Sequence, residues 1–122
     1  MREKKPATKK KQIAEGVQDL VYSPDERFLA VGSRDNNIYV YNSEEEYRRV
    51  AVCRRHSSYI THLDWSKDSR YLMSNCAAYE ILYWDAEQKF AQYKKSCKSK
   101  SLCKYLYVNP NRIAADLQFS TQ

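Results

Sequence analysis

The chain has 122 residues, 43% of them hydrophobic, and a net charge of +6 from 21 Lys/Arg against 15 Asp/Glu. That length suits one small domain, and the composition supports a packed core rather than a wholly disordered chain. The only two glycines, Gly16 and Gly32, stand too far apart for a Gly-rich phosphate loop, and no window approaches the roughly 18–20 apolar residues of a membrane span.

The chain opens on a basic tract. Residues 1–11 hold six basic residues and one acid. No apolar segment follows, because Glu15 and Asp19 interrupt it, so the sequence predicts no secretory signal and a reducing, intracellular compartment. Residues 1–14 are expected to form a disordered basic tail. A second tract, residues 89–104, holds six lysines and no acid, which leaves the remainder at −5. Lys4, Lys5, Lys9, Lys10, Lys11, Lys94, Lys95, Lys98 and Lys100 are therefore candidates for electrostatic contact with a polyanion. A solvated lysine tail explains them equally well. Neither tract interleaves aromatics at a base-stacking spacing, so nucleic acid is not the expected partner, and no membrane contact is expected.

Behind the first tract come short strands separated by turns. Val17–Tyr22 reads as a first strand, with apolar residues at Val17, Leu20 and Tyr22. Ser23-Pro24-Asp25-Glu26 is a turn, with proline presetting φ and aspartate bonding its own backbone. Phe28–Val31 is a continuous apolar run, as in a strand buried on both faces. Asp35-Asn36-Asn37 is a second turn, Ile38–Tyr41 a third strand and Val50–Cys53 a fourth. The order then repeats in Ile60–Trp65, Arg70–Ser74, Glu80–Trp84 and Phe90–Tyr93. No stretch shows a long 3.6-residue period, and the chain reads as all-β.

Residues 17–42 and 60–85 align without a gap at a period of 43. Leu20/Leu63, Ser23/Ser66, Asp25/Asp68, Arg27/Arg70, Leu29/Leu72 and Ile38/Ile81 are identical. Tyr22/Trp65, Phe28/Tyr71 and Tyr41/Trp84 match as aromatics. A further step of 43 reaches Cys103–Pro110, where Leu106 and Asn109-Pro110 echo the earlier units. The expected organisation is a tail (1–14), one repeat over 15–55, a second over 56–96, and a degenerate third unit or irregular tail over 97–122.

Four strands per 40–45 residues, with Trp84-Asp85 closing a third strand, resemble the WD40 repeat. The implied fold is two four-stranded β-propeller blades, an incomplete propeller. In that family a His, a strand Ser/Thr, a turn Asp and the Trp form a hydrogen-bonded network within a blade. Carried over, the network residues are His56, Ser74, Trp84 and Asp85 in the second unit and Asp35 in the first. Ala78 takes the Asp position of the second unit. Ile13, Val31 and Tyr41 take the His, Ser and Trp positions of the first. Glu26, Arg55 and Ser69 stand where such repeats often place glycine.

More specific strings, FLAVGSRDNNIYVY (28–41), YRRVAVCRRHSSYITHLDWSKDSRYLMSN (47–75) and YEILYWD (79–85), resemble the echinoderm microtubule-associated-protein-like family over about residues 15–85. The resemblance implies a non-enzymatic piece of a tandem propeller that binds tubulin or microtubules in the cytoplasm and contributes to microtubule organisation. It also implies a fragment, because the residues after Asp85 leave the family pattern and two repeats are too few for a closed propeller. Two blades alone are expected to leave apolar faces and strand edges exposed, and so to self-associate or aggregate. A generic WD40 adaptor and a polyanion binder acting through the lysine tracts are the alternatives.

No catalytic constellation, cofactor or metal is expected. His62-x-Asp64 near Ser57 and Ser58 lacks a nucleophile elbow and an oxyanion loop. Cys53-x-x-His56 and Cys97-x5-Cys103 lack the paired knuckles of structural zinc. Cys53 and Cys76 fall in predicted strands and read as small buried hydrophobes. Cys97 and Cys103 lie among lysines and read as free thiols. The strand tyrosines (Tyr22, Tyr39, Tyr41, Tyr71, Tyr79, Tyr83) read as core and blade-face residues.

Overall fold

The repeat of apolar strands and Ser/Asp turns folds into two antiparallel meanders in a computed structural model that describes residues 16–93, 107–109 and 113. The first sheet is β1 (Val17–Tyr22), β2 (Phe28–Ser33), β3 (Ile38–Asn42) and β4 (Arg48–Cys53), hydrogen-bonded in that order. The second is β5 (Ile60–Trp65), β6 (Tyr71–Cys76), β7 (Ile81–Asp85) and β8 (Ala91–Tyr93), with the same topology. The fold is all-β, two four-stranded propeller blades. Among the described residues no helix is long and apolar enough to cross a membrane.

The period of 43 reaches into the backbone. Among the described residues eight non-glycine residues have positive φ, and they fall into four pairs one period apart. Glu26 (66°) matches Ser69 (65°), Asn36 (76°) matches Tyr79 (64°), Glu46 (59°) matches Lys89 (57°), and Tyr47 (58°) matches Phe90 (61°). Glu26 and Ser69, read from sequence as lost glycine positions, thus keep the left-handed backbone that glycine adopts freely. Two register shifts coincide as well, at Val17/Asp19 in β1 and Ile60/His62 in β5, while a third, at Val40/Tyr41 between β3 and β4, has no counterpart between β7 and β8. In both matching bulges an extra residue on the first strand of the blade faces a single partner.

The Ser-x-Asp-x-Arg turns explain how each hairpin closes. Ser23 Oγ donates to Asp25 Oδ1 at 2.6 Å, and Asp25 accepts the Arg27 N–H at 3.0 Å. Ser66, Asp68 and Arg70 repeat this at 2.6 and 3.0 Å. These bonds satisfy turn backbone groups that the ladder cannot reach. Asn42 and Asp85, also one period apart, cap short 3-10 turns by accepting the N–H of Glu44 (2.9 Å) and Glu87 (3.0 Å).

Each blade has two apolar faces, and one face of the first packs onto the opposite face of the second. Ala30, Ile38, Val40 and Cys53 meet Ile60, Leu63, Trp65, Leu72, Trp84 and Phe90 in one buried cluster. Phe28 lies 5.3 Å from Phe90, edge to face, and 6.3 Å from the Trp65 ring. Polar contacts fix the stagger between blades. Leu63 N donates to Asp19 Oδ2 (2.9 Å), Trp65 Nε1 to the Val21 carbonyl (3.2 Å), and Asp25 N to Ser69 Oγ (3.0 Å).

The outer faces differ from the expectation of bare apolar surface. On the first blade Leu29, Val31 and Tyr41 are buried among Val17, Leu20, Tyr39 and Tyr47. On the second, Met73 and Tyr83 are covered by Tyr107 and Ile113. Tyr107 bridges to Ser66, and Val108 N donates to the Trp65 carbonyl at 3.0 Å. Most of 97–122, including Cys97 and Cys103, lies outside the described residues, as does the tail 1–14.

Candidate functional site

The second blade carries a buried polar group of the kind its sequence foreshadows. His56 arrives on the segment leading into β5, Ser74 sits in β6 and Trp84 in β7. Ser74 Oγ lies 2.6 Å from His56 Nε2 and accepts the Trp84 Nε1 proton at 2.9 Å. Ser74 Oγ also lies 3.4 Å from the Leu82 carbonyl. Ser74 is thus the hub, and all three side chains are buried. In the first blade Val31 and Tyr41 occupy the equivalents of Ser74 and Trp84, so the same place is filled by apolar packing.

Asp35 and Asp85 stand apart from this group. Asp35 closes its own turn by accepting the Asn37 N–H (3.0 Å) and the Tyr39 hydroxyl proton. Asp85 caps the turn after β7 and takes two bonds from the Arg70 guanidinium, at 3.2 and 3.1 Å. Arg70 also reaches Glu87 at 3.5 Å.

Sequence reasoning missed Glu80. Ala78 leaves the expected Asp place empty, but Glu80, two residues on, turns back toward His56. Its Oε1 lies 3.4 Å from His56 Nδ1. Glu80 also accepts the Ser57 N–H (3.0 Å), the Ser57 hydroxyl proton (2.9 Å) and the Cys76 thiol proton (3.3 Å). The two Ser57 donors favour the carboxylate and hold its pKa down to about 2. Burial pulls His56 below its ordinary value, with Glu80 opposing, so the ring is neutral near pH 7. A serine directly after a network histidine, and an acid beside the vacated Asp position, were the signals available.

Lys4, Lys5, Lys9, Lys10, Lys11, Lys94, Lys95, Lys98 and Lys100 lie outside the described residues. Among the described residues several arginines pack on rings of the blades. Arg34 stacks on Tyr59 at 4.8 Å and Arg49 on Tyr39 at 5.6 Å.

Two meanders stacked face to back, with a His–Ser–Trp group in one, define a propeller but not which propeller. The description of the echinoderm microtubule-associated protein second beta-propeller matches residues 2–105. The chain belongs to that family. Among curated relatives, echinoderm microtubule-associated protein-like 4 of Xenopus tropicalis is 50% identical over 99 residues, covering 77% of this chain and 11% of the relative. The human protein of that name is 50% identical over the same length, covering 10% of itself. Echinoderm microtubule-associated protein-like 1 of Mus musculus is 58% identical over 73 residues, which is 57% of this chain and 9% of that protein. The chain therefore spans about a tenth of the length of these relatives. Among solved structures, the WD40 repeats of RRP9 superpose with a TM-score of 0.61 at 27% identity, over 66% of this chain and 26% of that one. The structure of U3-55K gives the same TM-score at 26% identity. Echinoderm microtubule-associated protein propellers and WD40 domains are typically structural or interaction domains.

Proposed function

We propose that this chain is a non-enzymatic, two-blade segment of a microtubule-associated propeller that binds tubulin or microtubules and acts at the cytoplasmic cytoskeleton. The observation that carries this reading is the family match across residues 2–105, joined to relatives at 50% and 58% identity whose names describe microtubule-associated proteins. A stacked pair of blades with an ordered polar group supplies a rigid surface of the kind that engages other proteins. The chemistry of the partner suits the charge pattern. Acidic tubulin surfaces would attract the lysine tracts at 1–11 and 89–104, which flank a body of −5.

Co-sedimentation of the full chain with polymerised microtubules tests this. Pelleting at low salt is expected, and absence from the pellet overturns the reading. Deleting residues 1–11 separates the two sources of binding. If binding is wholly a lysine-tract effect, it falls steeply with salt and disappears with the deletion. If the blades contribute, a salt-resistant fraction remains.

A further inference from the structure

We propose that His56 Nδ1, Cys76 Sγ and a carboxylate oxygen of Glu80 form a zinc site, with water as the fourth ligand. Nothing in the family match assigns a metal here, and the proposal is independent of tubulin binding.

The local chain geometry brings the three together. Cys76 ends β6 and Glu80 precedes β7, four residues on. The turn between them is closed by Tyr79 N donating to the Cys76 carbonyl at 2.9 Å, with Tyr79 in the left-handed region. This places the Cys76 thiol 3.3 Å from Glu80 Oε1. His56 approaches from the segment before β5, its Nδ1 3.4 Å from the same carboxylate oxygen. All three donor atoms lie within 4.8 Å of one another. Tetrahedral zinc, with bonds of about 2.0–2.1 Å to N and O and about 2.3 Å to S, spaces its ligand atoms roughly 3.3–3.6 Å apart. Two edges of that polyhedron are already at or close to that length, and the third closes with a small movement of Cys76 or His56.

A second, independent observation points into the site. His56 Nδ1 is buried, its side chain 0% exposed, and has no hydrogen-bond partner. Glu80 Oε1 lies 3.4 Å from it, the length of an ion pair. A buried polar atom left in this state is uncommon and calls for an occupant. The other ring nitrogen explains the orientation. When the Ser74 hydroxyl proton points at the Leu82 carbonyl, His56 Nε2–H donates to Ser74 Oγ and the Nδ1 lone pair faces Cys76 and Glu80. Zinc-bound histidines are usually held in this way, through the nitrogen that does not bind metal. Ser57 holds the carboxylate in the same sense, donating to one oxygen from its N–H and to the other from its hydroxyl.

The charge and donor balance suits zinc. One nitrogen, one sulfur and one oxygen make a set of intermediate softness. Zn2+ displaces the Cys76 thiol proton to solvent and forms a Zn–S bond. His56 adds a neutral lone pair and Glu80 an existing negative charge, so the occupied site is neutral overall. Glu80, 38% exposed, provides the way in. Cys53, the other described cysteine, is outside the cluster, and burial pushes its thiol up to about 12.

The test uses the full, reduced chain. One Co2+ per chain is expected to bind with a thiolate-to-cobalt charge-transfer band and to be displaced by Zn2+. Glu80→Gln and Cys76→Ser are expected to weaken binding at least about tenfold, while Cys53→Ser and the pair Cys97→Ser/Cys103→Ser leave it unchanged. Should Cys76→Ser fail to fold, X-ray absorption at the zinc edge of the unaltered chain decides. One sulfur at about 2.3 Å with nitrogen or oxygen neighbours is the expected shell. A missing charge-transfer band, a shell of two or more sulfurs, undiminished affinity in Glu80→Gln, or loss of binding in Cys97→Ser/Cys103→Ser overturns the proposal.

Discussion

Gly32, in the first blade, lies so close to Ile60 in the second that a Cβ on Gly32 would sit 2.5 Å from Ile60 Cγ2 and 3.0 Å from Ile60 Cβ. This glycine is required by the approach of a neighbouring blade, since its φ is not in the left-handed region. Gly32→Ala should push the blades apart and destabilise the fold by about 1–3 kcal/mol, the usual range for overpacking. Ile60→Ala destabilises for the opposite reason, by leaving a cavity. Together they should cost less than the sum of the two, because the missing Cγ2 makes room for the new methyl. Denaturant melts of the parent and the three variants measure this, and strict additivity would show that the contact is not the cause.

Tyr79 has φ of 64° and is 69% exposed. A bulky residue gains little there from packing and carries the left-handed penalty of about 1–2 kcal/mol. Its counterpart one period earlier is Asn36, a residue that tolerates the conformation. Tyr79→Asn should therefore raise the melting temperature, and Asn36→Tyr should lower it. A fall in Tm for Tyr79→Asn would mean that the ring contributes more than the backbone loses.

Much of the fold was legible because two copies of one pattern correct each other. β1 and β5 run over the spans expected from their apolar positions, the repeat and the following Ser/Asp turn. The ends were less legible. β2 continues to Ser33, beyond the apolar run, because Val17 and Ser33 still pair across the ladder. β4 begins at Arg48 rather than Val50, since an outer strand needs no apolar side chain to stay paired. Phe90 was expected to start β8 but has φ of 61°, and its ring enters the core from a turn. At the polar site the resemblance pointed to His56, Ser74 and Trp84, and also to Asp35 and Asp85, which stand apart, but not to Glu80. Its approach depends on the turn at Tyr79, which periodicity does not encode.

Ser74→Ala should remove the one oxygen that His56 and Trp84 share. Two buried polar groups then lose their partner, at about 1–3 kcal/mol each before relaxation. The expected signs are a lower denaturation midpoint and a shift in the emission of Trp84. Unchanged stability and emission would show that the hub is dispensable.

The turn acids set a pH limit. A hydrogen bond from the Ser66 hydroxyl lowers the Asp68 pKa, against burial and with help from the Arg70 N–H. The folded value lies below the unfolded value of about 3.9, so the stabilisation is complete above that pH and is lost as pH falls through the folded value. Asp68→Asn should be less stable than the parent at neutral pH, with the difference narrowing below about pH 4. Denaturant midpoints between neutral and strongly acidic pH check the sign; a gap that widens in acid contradicts it.

The face of the first blade bearing Ala30, Ile38 and Val40 meets the face of the second bearing Leu72 and Trp84, and these two surfaces are not alike. Copies joined by such contacts line up in one direction, as tiles that fit only nose to tail. They close into a ring when the rotation per step divides a circle, and otherwise lengthen into a fibre with distinct ends. On the second blade the next step is covered by Tyr107 and Ile113. Removing those two side chains should open that face to the next copy and so favour a growing polar chain.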